Sequence, residues 1–185
     1  GDHVISVAPT YQQHYSIPES YGADVSILKL REEHAFLPDL EALRALVRPN
    51  TKVIAINNPN NPTGALMDQA MLEQIVTIAR SVGAYLLSDE VYRGIDQHGD
   101  GSTVSIADLY EKGISTASMS KAFSLAGLRL GWIVGPADLI HSVSIHRDYN
   151  TISVGMLNDH FACIALENKD KILARNQAIT RTNLE

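Results

Sequence analysis

The sequence predicts an α/β protein, a three-layer αβα arrangement around a mostly parallel sheet. Short runs rich in Val, Ile and Leu alternate with longer segments whose apolar residues recur at helical spacing. Hydrophobic residues make up 45% of the 185 residues and charged residues 19%, so the chain can bury a core instead of remaining disordered. The length suits one domain, which hides roughly 70% of the surface its unfolded chain would expose.

Taken in order, residues 4–7 form the first candidate strand, and a helix is expected from near Tyr11. Residues 25–30 and 52–57 follow as strands, with a helix from near Asp39 between them. The third helix has the clearest pattern. Leu72, Ile75, Val76 and Ala79 share a face, Asp68 suits the N-cap and Gly83 the stop. Residues 85–88, 114–118 and 130–134 complete the strands, all six short and expected to be buried. Further helices are expected from near Ser102, Pro136 and Met156, and residues 168–185 read as a long charged helix leading out of the domain. The loosest stretch is 96–102, rich in Gly and Asp, which reads as a surface loop.

Charge and cysteine content narrow the function. Fifteen basic against 21 acidic residues give 15 − 21 = −6, with no basic tract to grip nucleic acid or an anionic membrane. No run approaches the roughly 18 apolar residues of a membrane span, and the N-terminus has no secretory-signal pattern. Cys163 is the only cysteine, so no intrachain disulfide or Cys-based zinc cage can form, and a reducing, cytoplasmic setting is the default. Its apolar helical neighbourhood marks Cys163 as core, not nucleophile. The seven histidines contain no HExxH pattern, and His141 and His146, five apart, fall on different helix faces, so no metal site is expected. The chain opens on an apolar run without an initiator methionine, which reads as a segment of a longer protein.

The chemistry gathers at three strand ends. Asn57-Asn58-Pro59-Asn60-Asn61-Pro62-Thr63-Gly64 follows one strand, where open α/β sheets bind ligands, although alone it reads as a turn. Residues 85–88 run into Asp89-Glu90-Val91-Tyr92, and residues 114–118 into Ser118-Met119-Ser120-Lys121. Asn, Asp with Tyr, and Ser with Lys at one sheet edge suit a flat, anionic, nitrogenous ligand such as pyridoxal phosphate. A lysine can form a Schiff base with its aldehyde, a carboxylate can keep its ring nitrogen protonated, and hydroxyls with an arginine can hold its phosphate.

The strings NNPNNPTG, SDEVY and SMSKAFSLAGLRLGW resemble the fold-type I pyridoxal-phosphate enzymes, specifically the class I/II aminotransferases. The spacings agree: 89 − 61 = 28 from asparagine to aspartate, and 129 − 121 = 8 from lysine to arginine. The resemblance implies that Lys121 is the Schiff-base lysine and the base for the substrate's α-proton, and that Asp89 pairs with the pyridinium. It implies that Asn61 and Tyr92 bond the ring oxygen, that Ser118, Ser120 and Arg129 hold the phosphate, and that Tyr11 stacks on the ring. Pro9 and Pro62 match positions where the family often has cis peptides, while Gly127 and Gly131 read as structural, at turns or close approaches.

The resemblance further implies that residues 1–185 are an incomplete cofactor-binding large domain. Its N-terminal phosphate-loop segment and its C-terminal small domain, with the arginine that grips the substrate carboxylate, would lie outside this chain. Amino-acid and 2-oxo-acid substrates and a homodimer are implied as well. Carbon–sulfur β-lyases and cyclopropane-forming synthases share these motifs and are the rival outcomes. The acyl-transferring branch normally carries histidine where this chain has Tyr92. A non-catalytic remnant is the alternative of another class, and retention of Lys121, Asp89, Asn61 and Arg129 together argues against it.

Overall fold

The computed structural model describes residues 1–97 and 102–184. Six strands form one sheet: β1 (His3–Ala8), β2 (Asp24–Lys29), β3 (Thr51–Asn57), β4 (Tyr85–Asp89), β5 (Gly113–Ser118) and β6 (Gly131–Val134). Their order is β2-β1-β3-β4-β5-β6; every neighbouring pair is parallel except β5 and β6, which are antiparallel. Among the described residues, seven α-helices accompany them: α1 (Gln13–Ser20), α2 (Leu40–Leu46), α3 (Gln69–Val82), α4 (Ile106–Leu109), α5 (Ala137–Arg147), α6 (Met156–Glu167) and α7 (Lys169–Leu184). Chain direction reverses between the β1–β2 crossover and those that follow. Right-handed crossovers therefore put α1 on one face and α2, α3 and α4 on the other.

The face covered by α2, α3 and α4 holds the main core, where Ile5, Val7, Ile54, Ile56 and Leu86 of the strands meet Leu43, Leu72, Ile75 and Ala79 of the helices. Sequence and structure agree closely at α3. Asp68 accepts the Met71 amide at 2.8 Å as N-cap, and Gly83 ends the helix at φ 69°, the left-handed region. A second, smaller cluster joins Met119 to Ala162 and Ala165 of α6, with Phe123, Trp132 and Ile172 against it.

Four expectations are corrected. The strands are not uniformly buried: β2 and β6 are the sheet's two edges, and most of β6 is exposed. Helix α4 starts after Ser105, not Ser102, because the Ser105 side chain caps Ala107 while Glu90 Oε1 accepts the Ile106 amide at 2.8 Å, and Arg93 holds Thr103 by its carbonyl. Cys163 is exposed, since α6 buries only Ala162 and Ala165 and the cysteine lies off that stripe. Gly127 has neither a positive φ nor a close neighbour, whereas at Gly131 an added Cβ would sit 2.8 Å from the Ala117 carbonyl oxygen. Of the loop read at 96–102, Asp96 is buried and residues 98–101 lie outside the described residues, as does Glu185 at the end of the expected long helix. No helix among the described residues is long and apolar enough to cross a membrane, and no group of three or more His, Cys, Asp or Glu is placed to hold a metal ion.

At the opposite end of the sheet from the motifs, His3 is fully buried between two hydroxyls. Its Nδ1 lies 2.8 Å from Thr51 Oγ1 and its Nε2 2.9 Å from Ser26 Oγ. Thr51 Oγ1 also accepts the Arg48 amide, and the Arg48 guanidinium reaches Ser26 and pairs with Asp24. Burial and then the Arg48 charge push the His3 pKa below its usual value of 6.5, with Asp24 opposing. An imidazole whose folded pKa is depressed contributes stability above the unfolded pKa and loses it as pH falls below about 6.5. Melting temperature should therefore drop more steeply between pH 7 and pH 5 in the native chain than in His3→Phe. That variant is less stable at pH 7 by about 1–3 kcal/mol, because it takes the imidazole partner from two hydroxyls and leaves them only their contacts with Arg48. Equal slopes in thermal melts of the two would refute the assignment.

Candidate active site

The parallel register β3–β4–β5 stops three strands at one edge. Asn57 is opposite Asp89, and Asp89 opposite Thr116, two residues before β5 ends at Ser118. The asparagine loop after β3 is tied down by its own side chains. Asn58 spans the loop, accepting the Met67 amide at 2.9 Å and donating to the Met67 carbonyl at 3.1 Å. Asn60 donates to Thr63 Oγ1 and to the Pro9 carbonyl, which joins this loop to the end of β1. The Asn57 side chain accepts the Asn61 amide at 2.7 Å and donates to the Asp89 carbonyl at 2.8 Å. The peptides before Pro9 and Pro62 are cis, as the resemblance implies, and so is the one before Pro59.

Asp89, 9% exposed, is held from two sides. Its Oδ1 accepts the Val91 amide at 3.1 Å, and its Oδ2 lies 3.5 Å from His14 Nε2, presented by α1 from the other layer. Tyr11 meets His14 edge-on, with ring centroids 6.1 Å apart and planes at 85°. The third motif occupies the return from β5 to β6. Met119 is buried and its amide donates to the Leu130 carbonyl at 3.0 Å, closing the base of the loop. Flanking this anchor, Ser118 and Ser120 face the cavity, and the Ser120 amide donates to Ser118 Oγ at 3.2 Å. Lys121 Nζ stands 5.8 Å from the centre of the Tyr92 ring. Arg129, at φ 47°, turns its guanidinium back to the Ala126 carbonyl at 2.7 Å and to Ser120 Oγ at 3.5 Å.

One cavity of about 330 Å³ is lined by Tyr11, Asn61, Asp89, Tyr92, Ser118, Ser120, Lys121 and Arg129, all eight site residues expected from the sequence, together with Asn57, Val91 and Ala126. The small and apolar residues around Lys121 in the sequence predict a shielded lysine, yet it is exposed, as is Arg129, because Ala122 and Met119 turn into the interior and leave the lysine on the open rim. Two residues were missed. His14 follows Tyr11 by three, so a helical start puts both on one side, which is the signal the sequence carries for it. Asn57 was read as part of a turn.

The donor set suits pyridoxal phosphate. The lining offers a carboxylate for a ring nitrogen, a carboxamide and a phenol for a ring oxygen, hydroxyls and a guanidinium for a phosphate, and an amine for an aldehyde.

Comparison with known proteins agrees. Residues 1–168 match the family described as aminotransferase class I and II. Capreomycidine synthase of Streptomyces vinaceus is 31% identical over 98% of this chain and 46% of its own length. The arginine–pyruvate transaminase of Pseudomonas aeruginosa is 33% identical over 75% of this chain and 36% of its own length. A pyridoxal-phosphate-dependent aminotransferase structure from Streptococcus suis superposes with a TM-score of 0.95 at 49% identity, over 100% of this chain and 48% of that one. The N-succinyldiaminopimelate aminotransferase structure from Mycobacterium tuberculosis gives 0.91 at 28% identity, over 98% of this chain and 48% of that one. The chain thus spans about half the length or less of the relatives it matches. With three motifs in order around one cavity and the family match over most of its length, this chain belongs to the class I and II aminotransferases.

Proposed function

We propose that the polypeptide carrying these residues is a pyridoxal-phosphate-dependent aminotransferase that moves an amino group from an amino acid to a 2-oxo acid. The observation that carries this reading is the convergence of a buried carboxylate, a lysine amine and an arginine–serine pair, from separate strand ends, on one cavity. Pyridoxal phosphate, when bound, supplies an electron-withdrawing ring that stabilises negative charge developing at the substrate's α-carbon.

The chain's own residues would do the rest. Lys121 offers Nζ for covalent attachment of the cofactor aldehyde and, once displaced, takes and returns the α-proton. Asp89 presents its carboxylate to the ring nitrogen and keeps it protonated. Asn61 and Tyr92 would donate to the ring oxygen, Tyr11 would stack on the ring, and Ser118, Ser120 and Arg129 would hold the phosphate. His14 holds the Asp89 carboxylate from behind. These residues would form the cofactor-binding part of a larger enzyme, which the partial coverage of the relatives supports. A homodimer and a cytoplasmic location belong to the same reading. A β-lyase outcome would use the same attachment and proton transfer and differ only in the fate of the substrate's β-substituent.

Three measurements test the reading. Borohydride reduction of the cofactor-loaded protein should label Lys121, and Lys121→Ala should lose both the label and the pH-sensitive visible band. Lys112 is already engaged with the Gly83 carbonyl at 2.7 Å, so a label there or on Lys52 would overturn the assignment. Asp89→Asn should keep the cofactor but slow α-proton removal by several orders of magnitude, a loss of roughly 4 kcal/mol or more; near-normal turnover would remove the proposed role. With a donor panel including arginine, aspartate and N-succinyldiaminopimelate, half-reactions should interconvert the aldehyde and amine forms of the cofactor with ping-pong kinetics. Release of pyruvate and ammonia would favour the lyase, and no spectral response to any amino acid the non-catalytic reading.

A further inference from the structure

We infer that Asn57 is a positioning residue, whose side chain fixes the spacing between the two groups that would recognise the cofactor ring, the Asp89 carboxylate and the Asn61 carboxamide; this rests on the function proposed above. Asn57 is 1% exposed at the last residue of β3, where the regular ladder ends. The backbone provides one more rung, from the Asn58 amide to the Asp89 carbonyl at 2.9 Å. Beyond it, the Asn57 side chain carries the connection forward in both directions. Its Nδ2 gives the Asp89 carbonyl a second donor at 2.8 Å, and its Oδ1 accepts the Asn61 amide at 2.7 Å. One planar amide thus clamps the backbone of both recognition residues.

The geometry makes this more than turn stabilisation. The Asp89 carboxylate is oriented by a bond from Oδ1 to the Val91 amide, and that turn begins at the carbonyl Asn57 holds. The Asn61 carboxamide lines the cavity from a residue whose amide Asn57 holds. An aromatic ring cannot stretch, so its nitrogen and its ring oxygen require partners at one fixed separation, and tolerances in such sites are about half an ångström. Two short bonds through a single buried amide meet that requirement. No rotamer of serine, alanine or aspartate supplies a donor and an acceptor at the same two places, apart from a protonated aspartate.

The test uses the longest natural polypeptide that carries these residues, loaded with pyridoxal phosphate, and compares it with Asn57→Ala and Asn57→Asp. The Ala variant removes both bonds. The Asp variant keeps size and the acceptor for Asn61 but, ionised, loses the donor to Asp89, so it remains informative if the Ala variant does not fold. Cofactor affinity at equilibrium should fall about tenfold in either variant. The titration midpoint of the visible band should rise by about half a pH unit or more, because a loosened Asn61 stabilises the ring oxygen's negative charge less. Visible circular dichroism of the bound cofactor should change shape, which a change in global stability alone would not cause. A folded variant with native affinity, midpoint and dichroism would overturn the inference while leaving the functional reading intact. A native protein without any visible band would overturn both.

Discussion

Parallel pairing in register is the constraint on which the rest of this structure depends. A parallel ladder makes neighbouring strands run and stop together, so residues distant in sequence emerge side by side at one edge. Asn57, Asp89 and Ser118 end three consecutive strands of the sheet. A slip of one residue in β4 would turn Asp89 toward the core that Leu86 fills and bring Ser88 or Glu90 to the cavity instead. The packing of Ile54, Ile56 and Leu86 against α3 prevents that slip, so the hydrophobic core is also what aligns the polar groups. The antiparallel return to β6 adds the rest of the cavity. It depends on Met119 being buried between two serines that are not, and on Gly131 admitting the Ala117 carbonyl at a distance no side chain would allow.

Asparagine has a distinct part in this edge. Where strands end, backbone donors and acceptors lose their ladder partners, and a buried one left unpaired costs about 1–3 kcal/mol. The carboxamide carries both functions on a short side chain, so it can replace a missing backbone partner. Asn58 and Asn60 do so at the carbonyls of Met67 and Pro9, and Asn57 does so at the Asn61 amide. Asn61 is the exception, because its backbone is held while its side chain faces the cavity. The asparagine-rich composition therefore reflects two tasks, three residues securing a loop and one facing the cavity.

Sequence was most informative where a local pattern and its location coincide. The strand positions, the caps of α3 and the eight cavity residues could be read because each motif follows directly on a strand. The clamp of Asn57 on Asp89 could not, since it spans 32 residues and exists only once β3 and β4 are neighbours. His14 reaches Asp89 across the sheet from another layer, a contact no spacing within α1 encodes. The exposure of β6 follows from strand order, which puts it at an edge, whereas its Trp, Ile and Val read as buried. Helix α4 starts after Ser105 and not near Ser102 because of bonds to Glu90 and Arg93, both distant in sequence. In each case the missing information was which elements are neighbours.

The cavity's side chains are of two kinds, and their lengths explain why. Asp89 and the Asn57-held Asn61, proposed for the ring, are short side chains with backbone on a strand terminus or bonded to one, where few torsions remain free. Lys121 and Arg129 are long and exposed, with Arg129 bonded to its own loop at Ala126. Long side chains lose more rotamer entropy when fixed but reach a moving group, and a guanidinium still meets a phosphate with a preorganised fork of donors. The proposed transamination would need both properties. The ring would keep one orientation throughout, while the lysine would leave its bond, carry a proton and return. Precision is therefore concentrated in the buried strand ends, and reach in the open rim.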